Sequence, residues 1–203
     1  MENKNEVGEK KKDMTKEDFA ILWKTIHLKV TDTYDVPPEI LWVNGSTIGT
    51  LGNFSASTGK AKSKKTFNIS AIVAAALKND EVLQYSACLP ENKRKILYID
   101  TEQSKYHCHK VMERICRLAD IPTDKDNKDF IFIVLREYTP TMRKLIIDYM
   151  LKNMEGIGLV IIDGIRDLMY DINSPSESSE LINLFMKWSS EYNLHIHTVL
   201  HLN

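Results

Sequence analysis

Residues 59–66 read Gly-Lys-Ala-Lys-Ser-Lys-Lys-Thr. Against the phosphate-binding template G-x-x-x-x-G-K-[ST], this octapeptide keeps Gly59, Lys65 and Thr66. It breaks the template once, where Lys64 stands for the second glycine. The chemistry of such a loop is electrostatic. Successive backbone N–H groups curl round phosphate oxygens at a helix N-terminus, a lysine bridges the β- and γ-phosphates, and a hydroxyl meets magnesium. Lys65 and Thr66 fit the last two roles and Gly59 fits the opening turn, while Lys60, Ala61, Lys62, Ser63 and Lys64 supply the backbone between. A lysine backbone follows a glycine's path wherever φ is negative; where strain is needed, it costs about 1–3 kcal/mol. The octapeptide alone also suits a solvated basic loop or a patch on nucleic-acid phosphate, because Lys60, Lys62, Lys64 and Lys65 would serve either.

Two carboxylates narrow the choice. Asp163 ends an apolar run, Leu159 to Ile162, and stands where a magnesium-orienting aspartate belongs. Glu102 lies just past a second apolar run, Lys95 to Ile99, where a carboxylate orients or deprotonates an attacking water. Each is weak alone, since acidic residues often end parallel strands. Together, in this order, they lie at the carboxyl ends of successive strands, the edge at which open α/β sheets bind ligands.

Other reactive side chains have plainer readings. His195, His197 and His201 are spaced by even numbers on a strand and share one side of it. No cysteine or carboxylate joins them at a zinc spacing. His107, Cys108, His109 and Cys116 fall on a helix, with His109 and Cys116 on one face; packing or solvent accounts for them. Asp171 to Glu180 (DINSPSESSE) reads as a flexible loop that either orders on DNA or a neighbouring subunit or is plain surface.

The elements that must position these groups are legible from periodicity. Phe19, Leu22, Trp23 and Ile26 recur at helical spacing within residues 17–28. Leu41 to Val43, Asn44-Gly45 and Ser46 to Thr50 predict a β-hairpin. A strand over Leu51 to Ser57 leads into the lysine loop, and a helix over Thr66 to Lys78 leaves it. Strands are expected at Lys95–Ile99, Phe130–Leu135, Leu159–Ile162 and His195–Leu200, with helices at Lys105–Ala119, Pro140–Asn153 and Ser178–Tyr192 between them. Strands apolar throughout are buried on both faces, so the fold class is α/β: a mainly parallel sheet flanked by helices, with an N-terminal β-hairpin.

The 203 residues carry 27 Lys and Arg against 28 Asp and Glu, a net charge of −1 that excludes a global pull towards nucleic acid or membrane. Residues 1–38 form a polar tail and short helix, the first 16 of them too polar to order, and residues 39–203 the core. Three cysteines without repeated spacing, no secretory signal and no apolar run of spanning length predict a cytoplasmic protein with no membrane partner. The chain stops at Asn203 directly after a strand, so we expect a C-terminal truncation.

The set GKAKSKKT, LYIDTE, LVIIDGIRDL and VLHLN, over about residues 40–203, resembles the RecA-like P-loop ATPases. The resemblance is closest to the branch of the hexameric plasmid helicase RepA and related mobile-element proteins. It implies an ATPase using ATP and Mg2+, with Lys65 and Thr66 at the phosphate and magnesium positions, Asp163 orienting magnesium and Glu102 as catalytic base. It further implies that His201 senses the γ-phosphate, that single-stranded DNA is a partner, and that the full-length protein is a hexamer. No arginine finger is assigned; Arg166 is a weak candidate. The implied activity is a DNA-dependent motor in replication or mobilisation of a plasmid or transposon. A nucleotide-binding switch with little hydrolysis, and a non-enzymatic nucleic-acid module built on the lysine loop, are the alternatives.

Overall fold

The computed structural model describes residues 14–60 and 65–202, and only the backbone of Lys60, His201 and Leu202. Residues 1–13, 61–64 and 203 lie outside the description, and with them most of the expected polar tail and Ala61, Lys62, Ser63 and Lys64 of the loop. The chain divides into two units, Met1–Val36 and Pro37–Asn203.

The first unit contains helix α1, Lys16–Ile26. A capping box starts it: the Thr15 hydroxyl accepts from the Asp18 amide at 3.1 Å, and the Asp18 carboxylate accepts from the Thr15 amide at 3.2 Å. The Trp23 ring stacks on His27 with centroids 4.4 Å apart.

The second unit holds two sheets. Strands β1 (Glu39–Val43) and β2 (Ser46–Thr50) form the expected hairpin. Its turn residues Asn44 and Gly45 have φ of 47° and 77°, the left-handed pair that an Asn-Gly hairpin turn requires. The hairpin does not extend the main sheet. It joins β4 (Glu81–Val82) and β5 (Tyr85–Ala87) in a four-stranded antiparallel sheet ordered β2-β1-β5-β4. Two and three residues are too few for a strand to show a period in sequence, so β4 and β5 were not expected.

The main sheet is five-stranded and parallel. Its strands are β3 (Phe54–Lys60), β6 (Lys95–Asp100), β7 (Phe130–Val134), β8 (Ile157–Asp163) and β9 (His195–Leu202), ordered β3-β9-β8-β6-β7. Helices α2 (Lys65–Lys78), α3 (Lys105–Leu118), α4 (Pro140–Asn153) and α5 (Pro175–Glu191) connect them. This is the expected α/β fold, a RecA-like parallel sheet flanked by helices.

Strand alternation assigns each face its helices. Ile96, Tyr98, Leu159, Ile161 and Val199 pack with Ile69, Ile72, Val111 and Ile115 of α2 and α3. Leu97, Ile99, Val160, Ile162 and Ile196 pack with Ile147, Leu181, Phe185 and Trp188 of α4 and α5. β8 is buried along its whole length, as an interior parallel strand requires.

One expectation is corrected here. The segment read as a loop, Asp171 to Glu180, is helix from Pro175 onward. The Ser174 hydroxyl accepts from the Glu177 amide at 3.3 Å, and Pro175 supplies the preset φ of a first helical position.

Candidate functional site

Strand register brings the candidate residues into line. Ser57 pairs with Val199, Val199 with Asp163, Asp163 with Asp100, and Asp100 with Val134, one row across all five strands. One or two residues beyond that row, towards the carboxyl edge, come Gly59, the backbone of His201, Gly164 and Glu102. Gly59 and His201 are themselves paired. The edge thus gathers segments separated by more than half the chain, with β9 lying between the strand that enters the lysine loop and the strand that ends in Asp163.

Gly59 lies within β3 rather than in an opening turn, so the extended strand runs as far as Lys60. Helix α2 begins at Lys65. The Lys65 side chain is 7% exposed, and its ammonium donates to the Gly59 carbonyl at 2.6 Å. A buried ammonium anchored across the loop's mouth fits a phosphate site, where the lysine acts as a point charge beside a helix N-terminus. Thr66, half-buried, opens the same helix. The Ser70 hydroxyl donates to the Thr66 carbonyl at 2.7 Å, adding a side-chain bond within the first turns of the helix.

Asp163 is 4% exposed. Tyr98, beneath it on the neighbouring strand, donates its hydroxyl to Asp163 Oδ2 at 2.9 Å. Burial, then the Asp163 charge, raises the Tyr98 hydroxyl well above the usual phenol range, so it remains a donor. Stacking on Phe132, with centroids 4.3 Å apart and planes within 8° of parallel, fixes the Tyr98 ring.

Asp100 is fully buried and plays a different part. Its Oδ1 accepts from the amides of Glu102 at 3.0 Å and Gln103 at 2.7 Å, and its Oδ2 from Gln103 Nε2 at 2.8 Å. Those bonds shape the turn that presents Glu102, which is exposed to solvent. The Cys108 thiol packs nearby; burial, then Asp100, pushes it up to about 12, so it stays protonated.

Thr101 ties the turns after β6 and β8 together. Its amide donates to the Asp163 carbonyl at 3.1 Å, and its hydroxyl lies within 2.9 Å of Asp167 Oδ2. Gly164 has φ of 105°, and a Cβ there would collide with Thr101 and reach within 3.0 Å of Glu102 Cγ. This close approach brings Glu102 against the end of the Asp163 strand.

Lys65, Thr66, Glu102 and Asp163 therefore lie along one edge of the sheet, with the backbone of His201 between Gly59 and the Asp163 strand. The His201 side chain lies outside the described residues, as do the loop residues already named. Sequence reading missed Tyr98, Asp100 and Thr101. The available signal was a tyrosine and an aspartate two apart in an otherwise aliphatic strand, followed by Thr-Glu-Gln, an Asx-turn pattern.

The rings of His195 and His197 are engaged by serines of β3. Ser55 Oγ lies 2.8 Å from His195 Nε2 and 2.7 Å from His197 Nδ1, and Ser57 Oγ lies 2.9 Å from His197 Nε2. Among the described residues no group of three or more His, Cys, Asp or Glu is arranged to hold a metal ion. Magnesium does not require one: it keeps several waters and phosphate oxygens and takes one or two protein ligands, the set Thr66 and Asp163 would provide. No helix among the described residues is long and apolar enough to cross a membrane.

The comparison with protein families agrees with this geometry. Residues 26–203 match the family described as the AAA domain. No curated protein matches the chain.

Proposed function

The chain belongs to the AAA domain family of P-loop ATPases, and from that premise we propose that it is the catalytic core of a DNA-dependent ATPase motor. The observation that carries the proposal is the alignment at the sheet's carboxyl edge, where Lys65, Glu102 and Asp163 stand at or just beyond the ends of β3, β6 and β8. The α2 N-terminus and the Lys65 ammonium hold the phosphates of ATP. Thr66 and Asp163 hold Mg2+, which when bound neutralises charge on the phosphate oxygens. Glu102, exposed beside Gly164, accepts the proton of the attacking water. His201 follows Val199 towards the edge at a position suited to sensing the terminal phosphate and passing its state along β9. A helicase or translocase role on single-stranded DNA, a hexameric assembly and a cytoplasmic setting complete the reading, supported by the resemblance of the four motifs to the RepA-type branch.

The test is ATP hydrolysis by the wild-type chain and by Lys65→Ala, each with and without single-stranded DNA. The reading expects DNA-stimulated turnover that Lys65→Ala lowers by about a hundredfold or more, the scale of losing a preorganised charge at a developing oxyanion. Tight ATP binding with no turnover above Lys65→Ala would replace the motor by a nucleotide switch. Salt-sensitive DNA binding that needs no nucleotide would replace it by a nucleic-acid module.

A further inference from the structure

Arg143 stands outside every motif, on the first turn of α4, yet it is only 8% exposed. Its guanidinium is spent on backbone carbonyls. Nε donates to Leu135 O at 2.9 Å, Nη1 to Asp167 O at 2.5 Å, and Nη2 to Arg136 O at 2.8 Å. A longer bond, 3.5 Å, runs from Nη2 to Thr101 O. Among the described residues no carboxylate lies within salt-bridge distance of it.

Those four carbonyls belong to three different connections at the carboxyl edge of the sheet. Thr101 is in the turn after β6, Leu135 and Arg136 follow β7, and Asp167 is in the short 3-10 turn Ile165–Leu168 after β8. The same connections are cross-linked around the arginine. The Leu135 amide donates to Asp100 O at 2.8 Å, and the Thr101 hydroxyl reaches Asp167 Oδ2. Glu102 follows Thr101 directly, and Asp163 precedes the 3-10 turn by two residues.

A buried cation with no carboxylate partner is costly unless its donors are met. Here three nitrogens of the planar fork meet four carbonyls, a spread that a lysine's three donors on one nitrogen do not reproduce. The arginine is therefore a poor choice for general stability and a good one for holding three loops at fixed mutual distances. We infer that Arg143 is a positioning residue for ATP hydrolysis, clamping the turn of Glu102 to the end of the Asp163 strand so that base and metal-site carboxylate keep their spacing. This rests on the ATPase reading above. Arg143 acts through the carbonyls of Thr101 and Asp167.

The test compares wild type, Lys65→Ala, Arg143→Met and Arg143→Lys in the full chain. ATP turnover is divided by the number of sites that bind a fluorescent non-hydrolysable ATP analogue, so that unfolded molecules do not count. A misplacement of an ångström or so acts on the transition state, so Arg143→Met is expected to lower kcat per occupied site by roughly ten- to a hundredfold, with KM and analogue affinity within about threefold of wild type. Arg143→Lys keeps charge and bulk without the fork and is expected to lower kcat per site in the same direction. It carries the test if Arg143→Met does not fold. Unchanged kcat per site in the folded variant, or a rise in KM with kcat intact, would overturn the inference while leaving the ATPase reading in place. Wild-type turnover no greater than that of Lys65→Ala would overturn both.

Discussion

At the scale of single residues, proton positions can be derived from one acceptor that has no choice. The Thr50 carbonyl lies 2.9 Å from His195 Nδ1, and a carbonyl only accepts, so Nδ1 carries the proton and Nε2 of His195 is the acceptor. Ser55 must then donate to His195 and accept from His197 Nδ1, and Ser57 must donate to His197 Nε2. The chain of bonds has one direction, from β3 through both histidines to β2, and requires both rings neutral. Burial enforces this. It lowers His195 to about 4 against the opposing Thr50 bond, and it lowers His197 to about 3 with help from His195. The unfolded rings titrate near 6.5, so the folded protein binds fewer protons below that pH. Stability is therefore full above about pH 6.5 and falls as pH drops towards 4 and then 3, by about 1.4 kcal/mol per pH unit for each histidine in that window. Urea midpoints measured from pH 7.5 down to 4.5 should fall accordingly, and His197→Asn should flatten the slope; an unchanged slope in the variant would contradict this assignment. Even spacing in sequence placed the two histidines on one side of a strand, but their serine partners lie about 140 residues away and only the fold brings them close.

At the scale of elements, legibility followed length and capping chemistry. Helix α4 was readable to the residue because Pro140 marks its start and Thr139 caps it, accepting from the Met142 amide at 3.4 Å. The start of α5 was equally marked, by Ser174-Pro175-Ser176-Glu177, but the run of small polar residues around it masked the cap. Glu177 serves twice: its amide meets Ser174, and its carboxylate accepts from the Tyr170 amide at 2.7 Å, holding the connection from β8 against the helix. Ser174→Ala is thus expected to cost about 1 kcal/mol of stability, the usual value of an N-cap. Glu177→Ala should loosen amide protection at Tyr170, and hydrogen exchange reads both effects. The β4–β5 pair was illegible for the opposite reason, being too short for alternation to register. Its strands exist because Leu41, Trp42 and Val43 of β1 have a second edge to fill.

At the scale of the whole molecule, the site has no local existence. Its members stand on α2, on the turn after β6, on β8 and on β9, and the interposition of β9 between β3 and β8 decides which ends become neighbours. The lysine loop, Asp163 at a strand end and Glu102 just past one could be picked out because apolar runs followed by acid are local patterns. The clamp beside them could not be, because Arg143, Tyr98 and Thr101 act through partners on other elements, distant in sequence. A ligand that bridges these elements must stabilise the unit as a whole, since it binds the folded edge and nothing in the unfolded chain. Magnesium-ATP at a hundred times its dissociation constant adds about 2.7 kcal/mol. For a chain of this size each kcal/mol moves the melting temperature by roughly 2–4 °C, so a rise of about 5–10 °C is expected. Lys65→Ala should abolish the rise. Asp163→Asn should remove its dependence on magnesium while leaving some response to nucleotide alone. Ser174→Ala, remote from the phosphates, should lower the baseline and keep the full rise. A magnesium-ATP shift that survives Lys65→Ala would place the nucleotide elsewhere than at the start of α2.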